Sequence, residues 1–284
     1  MPRIVILAGG ISSRMKKNDS DVILDKKLLE DSNLKSKSMI RIGDDDQPFL
    51  NYLLSNIAKA GYSEVVIVVN EKDNSIMNYY SDPENIRQFP TLKFDFAIQS
   101  IPVGSDKPLG TADALYTALI KRLDWKNKKF TMCNSDNLYS VNVLRLLLNS
   151  THPNAMIDYE SEGLGFDINR IGKFSITKKN EQNFLLDIIE KPSLVEIEKQ
   201  KIKFGYVGVS MNIFRFDYDM ILPFLEMTPL NPIRKEKELP TAVKMMIEKF
   251  PDSIYTYRVN EYVPDLSSKV DIPVVKKYLK DNYD

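Results

Sequence analysis

Two hydrophobic rhythms organise the first half of this chain. Short, β-branched apolar runs at 3–7, 64–70, 93–99 and 129–134 have the near-continuous character of strands buried on both faces. Between the first two runs, Phe49, Leu50, Leu53, Leu54, Ile57 and Ala58 recur at helical spacing, and Gly61 follows as a helix terminator. Strand, helix, strand is the βαβ order that builds parallel sheets. Further helices are predicted from Gly110 to 120 and over 141–149. The pattern changes near Asn154, where longer alternating strands at 155–159, 173–177, 184–190 and 206–216 predict a mixed or antiparallel extension over the pocket mouth. Helices are predicted near 193–200, 217–226, 239–249 and 271–282. Residues 16–36 are polar with weak periodicity and read as an inserted flap with a short helix at 22–30.

No repeat or low-complexity linker divides the chain, so the expectation is one domain over 1–284, with halves 1–150 and 151–284. The predicted class is α/β: a Rossmann-like mixed, mainly parallel sheet flanked by helices, with an antiparallel extension. In such sheets ligands collect beyond the carboxyl ends of the strands. The Gly9-Gly10 pair, Gln99, Gly110 and Asp136 all fall at such ends, which predicts one site.

The formal charge of the 284 residues is zero, so no global field attracts nucleic acid or anionic membrane. The single cysteine, Cys133, lies in an apolar run and reads as a core residue, while the single histidine, His152, reads as a solvated loop residue. No His-based triad or zinc site can be assembled. No apolar stretch approaches a membrane span and no signal-peptide pattern is present, so a cytoplasmic protein is expected. Self-association is left open by the sequence.

The chemistry starts in Ile4-Val-Ile-Leu-Ala-Gly-Gly-Ile-Ser-Ser-Arg-Met15, a strand running into a loop. Glycines without Cβ let backbone N–H groups approach a polyphosphate, Ser12 and Ser13 add donors, and Arg14 adds a planar cationic fork. The loop has neither the third glycine of a dinucleotide fingerprint nor the Gly-Lys-Ser/Thr of a Walker A loop. Asp136, after the strand at 129–134, is the type of carboxylate that a magnesium ion uses together with substrate phosphates.

The segment resembles the N-terminal signature L-A-G-G-x-G-[ST]-R-[ML] of the sugar-1-phosphate nucleotidylyltransferases, also called nucleotide-sugar pyrophosphorylases. Ser12 stands at the signature's third glycine, as in the related molybdopterin nucleotidyltransferases. Gly163-Leu-Gly165, Glu190-Lys191-Pro192 and Val207-Gly208-Val209 follow in the order of the pyrophosphorylases. Ser210-Met-Asn-Ile-Phe214 with Lys237-Glu-Leu-Pro240 is similar to a less characterised bacterial branch, so the similarity in order covers nearly the whole chain.

The resemblance implies the nucleotide-diphospho-sugar transferase fold, with nucleoside triphosphate and sugar 1-phosphate as partners and Mg²⁺ as cofactor. Leu7, Ala8, Gly9, Gly10, Ser12 and Ser13 would hold the triphosphate, and Arg14 the leaving pyrophosphate. Lys37 would neutralise the α-phosphate, with Lys35 as the alternative match. Gln99 would read the base beside Gly110 and Thr111, and its amide, which both donates and accepts, suits uracil or thymine, favouring UTP or dTTP. Lys191 would bind the sugar phosphate and Glu190 a hydroxyl, with Gly165 and Gly208 on the sugar side. Asp136 would hold the metal with Asp265, or with Glu238 in its place.

Three other readings stay open at this point. A glycosyltransferase using a finished nucleotide sugar usually carries D-x-D, whereas Asp136-Asn137-Leu138 lacks the second acid. A molybdopterin-type enzyme is shorter and has no Glu-Lys-Pro half. A non-catalytic nucleotide sensor would release no pyrophosphate.

Overall fold

The computed structural model describes residues 1–16, 24–43 and 46–283. Strands β1 (Arg3–Leu7), β2 (Glu64–Asn70), β3 (Lys93–Gln99) and β4 (Lys129–Asn134) pair in parallel in the order β3-β2-β1-β4. Their side chains point alternately to the two faces. Ile4, Ile6, Val65, Ile67 and Cys133 enter one apolar cluster, and Val5, Leu7, Val66, Val68 and Met132 enter the other. Burial on both sides is why these runs carry so little polarity.

The sheet continues through β5 (Asn154–Glu160), β6 (Ser175–Lys179), β7 (Leu185–Glu190), β8 (Gly208–Ser210), β9 (Phe214–Asp217) and β10 (Ile254–Val259). From β4 the order runs β9-β5-β8-β6-β7 with antiparallel pairing, while β10 joins β5 in parallel. The result is a mixed α/β sheet: a parallel half carrying an antiparallel extension.

The helices are α1 (Lys26–Leu34), α2 (Phe49–Ala60), α3 (Ser75–Ser81), α4 (Pro83–Ile86), α5 (Thr111–Lys121), α6 (Val141–Leu148), α7 (Ile168–Ile171), α8 (Leu194–Phe204), α9 (Tyr218–Met227), α10 (Leu239–Lys249) and α11 (Ile272–Tyr283). Helix α2 ends at Gly61, whose φ of +102° suits the left-handed cap that a side chain would strain. Helices α2 and α6 cover one face of the parallel half, and α5, α9 and α10 cover the other. Among the described residues no helix is long and apolar enough to cross a membrane.

Several expectations need correction. The single strand expected over 206–216 is two, β8 and β9, because Asn212 takes a left-handed φ of +53° and breaks the ladder. The flap helix lies at 26–34 rather than 22–30, since Asp25 caps it by accepting from the Leu28 N–H at 2.9 Å; the expected start at 22 lies outside the described residues. His152 is half-buried rather than solvated, stacked on Tyr255 with ring centroids 4.1 Å apart.

Gly208, expected beside the sugar, sits instead over a polar network inside the extension. There the buried Asp158 accepts from Thr177, from Tyr206 Oη at 2.7 Å and from Lys179, which also donates to Tyr206. A Cβ at Gly208 would collide with the Asp158 carboxylate and the Thr177 hydroxyl. Breaking such a network by removing one partner is costly, because a charge is left buried and unpaired. Gly208→Ala is therefore expected to lower stability by about 1–3 kcal/mol through overpacking, read as an earlier urea midpoint. An unchanged midpoint would show that the network yields without cost.

Candidate active site

The loop after β1 lies at the carboxyl edge of the parallel half, where it is tied down by backbone contacts. Ala8 N–H donates to the Val68 carbonyl at 2.8 Å, and Asn70 Nδ2 donates to the Gly9 carbonyl at 3.2 Å. A Cβ at Gly9 would stand 2.9 Å from Gln99 Oε1, so only glycine fits here. Leu7, Ala8, Gly9, Gly10, Ser12, Gln99, Gly110, Thr111, Lys37 and Asp136 line one cleft of about 240 Å³. Ser13 is exposed and does not line that cleft, and Arg14 lines the neighbouring one.

Ser12 explains its own departure from glycine. Its backbone has a φ of +56°, a conformation glycine takes without strain. Its hydroxyl accepts from the Lys37 backbone N–H at 3.2 Å, a link glycine cannot supply. The phosphate loop and the lysine segment are thereby joined.

Asp31, on α1, settles which lysine reaches the cleft. It is buried, and its carboxylate accepts from Lys35 Nζ at 3.0 Å and from Arg41 Nε at 2.9 Å and Nη2 at 3.0 Å. Burial works to raise its pKa, but the bonds from Arg41 and Lys35 outweigh it and hold the carboxyl below its ordinary value. Lys35 is thus committed to Asp31. Lys37 instead extends into the cleft and donates to Asp136 Oδ2 at 2.8 Å.

The segments that carry Asp136 and Asp265 are joined by backbone pairing, with Asn137 opposite Asp265. Leu266 N–H donates to the Asp136 carbonyl at 2.8 Å, and Leu138 N–H to the Pro264 carbonyl at 2.9 Å. Asp265 Oδ1 accepts from Asn137 Nδ2 at 3.1 Å and Ser267 Oγ at 3.0 Å. Burial first, then the negative charges of Asp136 and Asp271, push its pKa up to about 7. Asp136 and Asp265 line one cleft, and two carboxylates there, one destabilised by burial and like charge, form a donor set suited to a divalent cation. Among the described residues no group of three or more His, Cys, Asp or Glu side chains is placed to hold a metal alone. Magnesium takes one or two carboxylates and completes its shell with water and substrate phosphates, so Asp136 and Asp265 are the residues that would hold it. Glu238 is engaged elsewhere, accepting from Asn231 Nδ2 at 2.8 Å and pairing with Arg234.

A second cleft, of about 950 Å³, opens on the other side of Asp136. Arg14, Glu190, Lys191, Asp265 and Asp136 line it, together with Arg170, Lys173 and Arg234, which the sequence did not single out. Lys191 turns at the end of β7 with a φ of +47°. Gly165 and Gly208 do not line it, so the glycines expected on the sugar side are not brought there. Glu236 borders both clefts and pairs with Lys107 across the smaller one. Neither was legible, because both sit in aperiodic loops. Thr111 Oγ1 accepts from Leu239 N–H at 2.9 Å, and Ala112 N–H donates to the Lys237 carbonyl at 2.9 Å, so the loop before α10 closes the cleft beside Gly110 and Thr111.

Comparison with known proteins bears on the family and the fold. A curated D-glycero-alpha-D-manno-heptose 1-phosphate guanylyltransferase of Campylobacter jejuni subsp. jejuni serotype O:2 is 27% identical over 147 residues, 52% of this chain and 53% of that protein. The chain thus spans about half the length of this curated relative. Among solved structures, UDP-glucose pyrophosphorylase from Acinetobacter baumannii superposes with a TM-score of 0.71 at 16% identity, covering 100% of this chain and 95% of the other. A UDP-glucose pyrophosphorylase complexed with UDP-glucose gives 0.72 at 16% identity, covering 99% and 100%. At such identity these likenesses establish the fold. The nucleotidyl transferase family model matches residues 26–259, and the chain belongs to that family.

Proposed function

We propose that this protein transfers a nucleotidyl group from a nucleoside triphosphate to a sugar 1-phosphate, forming a nucleotide sugar and pyrophosphate. The observation that carries the reading is the meeting of two clefts at Asp136: a narrow one floored by the glycine loop and a wide one walled by Lys191 and Glu190. Two substrates seated in them would approach each other at that carboxylate. The matched heptose 1-phosphate guanylyltransferase acts on the same pair of substrate classes.

The triphosphate would lie along Gly9, Gly10 and Ser12, and its departing end would extend toward Arg14. Arg14 makes no ion pair among the described residues, so its fork is available to pyrophosphate. Lys191 would hold the acceptor phosphate and Glu190 a sugar hydroxyl. One oxygen of that phosphate attacks the α-phosphorus in line and the pyrophosphate leaves, so no protein nucleophile is needed and catalysis rests on positioning and charge. Lys37 exchanges Asp136 for the α-phosphate as the substrate arrives. A magnesium ion bound by Asp136, Asp265 and the phosphates would supply neutralisation of the charge that develops there. UTP or dTTP is the proposed donor, since either base can offer an N–H to Gln99 Oε1. A cytoplasmic location belongs to the same proposal.

Asp136→Asn and Arg14→Ala are each expected to lower pyrophosphate release by about 100-fold or more with an unchanged melting temperature, and normal turnover in either would refute the assignment. Lys37→Met should lose activity on a comparable scale while Lys35→Met keeps it. Equal losses in the two would mean that the Lys37–Asp136 contact has no special role. Removing divalent ions with EDTA should stop pyrophosphate release and added Mg²⁺ should restore it; turnover that persists in the chelator would exclude the metal.

A further inference from the structure

We infer that Asp113 is the residue that sets base choice, by locking the Gln99 carboxamide so that only its oxygen faces the nucleotide cleft. The inference rests on the function proposed above and deepens it. Gln99 is the last residue of β3 and is 2% exposed. Its Nε2 donates to the Gly110 carbonyl at 2.9 Å and to Asp113 Oδ2 at 2.8 Å. A carbonyl and an ionised carboxylate only accept, so rotating the amide by half a turn would set its oxygen against two acceptors. Both amide hydrogens are therefore spent. A freely turning glutamine would offer the base a donor or an acceptor; this one offers an acceptor alone.

The oxygen that remains stands over Gly9, where even a Cβ would come within 2.9 Å of it. It receives no hydrogen bond from the described residues. Asp113 also occupies the first turn of α5, where a carboxylate complements the helix dipole. That role alone would not aim its oxygen inward at Gln99.

The consequence for the base follows from ring chemistry. Uracil and thymine carry N3–H, and guanine carries N1–H, each beside a carbonyl. Cytosine and adenine carry a lone pair at the equivalent ring nitrogen. Seated in the same pose, the first group gives Gln99 Oε1 a hydrogen bond and the second opposes it with another acceptor. A site built around a substrate N–H rejects the analogue that lacks it, because the buried protein partner is left unpaired. Asp113 thus selects UTP over CTP and GTP over ATP.

The test is calorimetric binding of UTP, CTP, GTP and ATP without acceptor, to the wild type and to variants whose melting temperatures are checked. The wild type should favour UTP over CTP and GTP over ATP. Asp113→Ala should shrink both ratios by about tenfold, roughly one hydrogen bond, with the KM for sugar 1-phosphate unchanged. Gln99→Glu alone sets carboxylate against carboxylate and should lose the preference; combined with Asp113→Asn, whose amide can donate, it should regain part of it. Wild-type ratios retained in Asp113→Ala, equal binding of all four nucleotides by the wild type, or a double variant no better than Gln99→Glu would each overturn the lock. Measurable binding with no pyrophosphate release when sugar 1-phosphates are then added would instead strike the proposed function and leave the lock standing. Absence of nucleotide binding altogether would remove both.

Discussion

The crowding of negative charge at the end of β4 is the constraint around which this molecule is arranged. Asp136 and the buried Asp265 line the same wide cleft, and burial first, then the charges of Asp136 and Asp271, drives the Asp265 pKa up to about 7. Lys37 partly relieves that repulsion by resting on Asp136. The pair is largely shielded from solvent, and desolvation of both charges offsets much of their attraction, so it is weak evidence for stability. Its use is positional: a cation and an anion are stored where a phosphate and a divalent ion would take them up.

Sheet topology makes that point reachable from two sides. The parallel half ends its strands in backbone-rich loops, which offer N–H groups to the narrow cleft, while the antiparallel extension supplies side chains from strand ends and turns. Asp136 stands at the seam because β4 is the last parallel strand and β9 the first antiparallel one. One carboxylate therefore serves both clefts. The flap helix, which would otherwise look like decoration, carries Asp31 and so fixes where the chain emerges toward Lys37.

The parallel half was legible in the sequence because two-sided burial leaves an unmistakable run; β2 and β3 occur at the residues the pattern gives. Legibility fell where one side chain decides. Asn212 splits a strand through its backbone angle, and the alternation Ile254-Tyr-Thr-Tyr-Arg-Val259 was a readable strand signal that went unread. The spacing of Asp31 and Lys35, one helical turn apart, already marked Lys35 as a helix partner rather than a ligand. At the site, the loop, Gln99 and Asp136 are legible from residue type and chain position, while Asp265 comes from the family resemblance alone. Lys107 and Glu236 are not legible, since their pairing joins loops 129 residues apart. Gly165 and Gly208 show the converse, because a glycine in a left-handed turn, a glycine required for close packing and one required for a ligand look identical in a string.

The buried Asp158, Lys179 and Tyr206 set has an implication for how the extension assembles. Side chains alternate along β6, so Ile176 faces the apolar cluster of Ile157 and Tyr159 while Thr177 and Lys179 face Asp158. A slip of β6 by one residue would drive an ammonium into hydrocarbon and strand a carboxylate without its counterion. Misaligned pairings of this strand are thus penalised far beyond what aliphatic residues would impose. The wall that carries Glu190 and Lys191 acquires a single alignment, and the bulge between Lys178 and Lys179 becomes a fixed part of that alignment rather than a flaw in it.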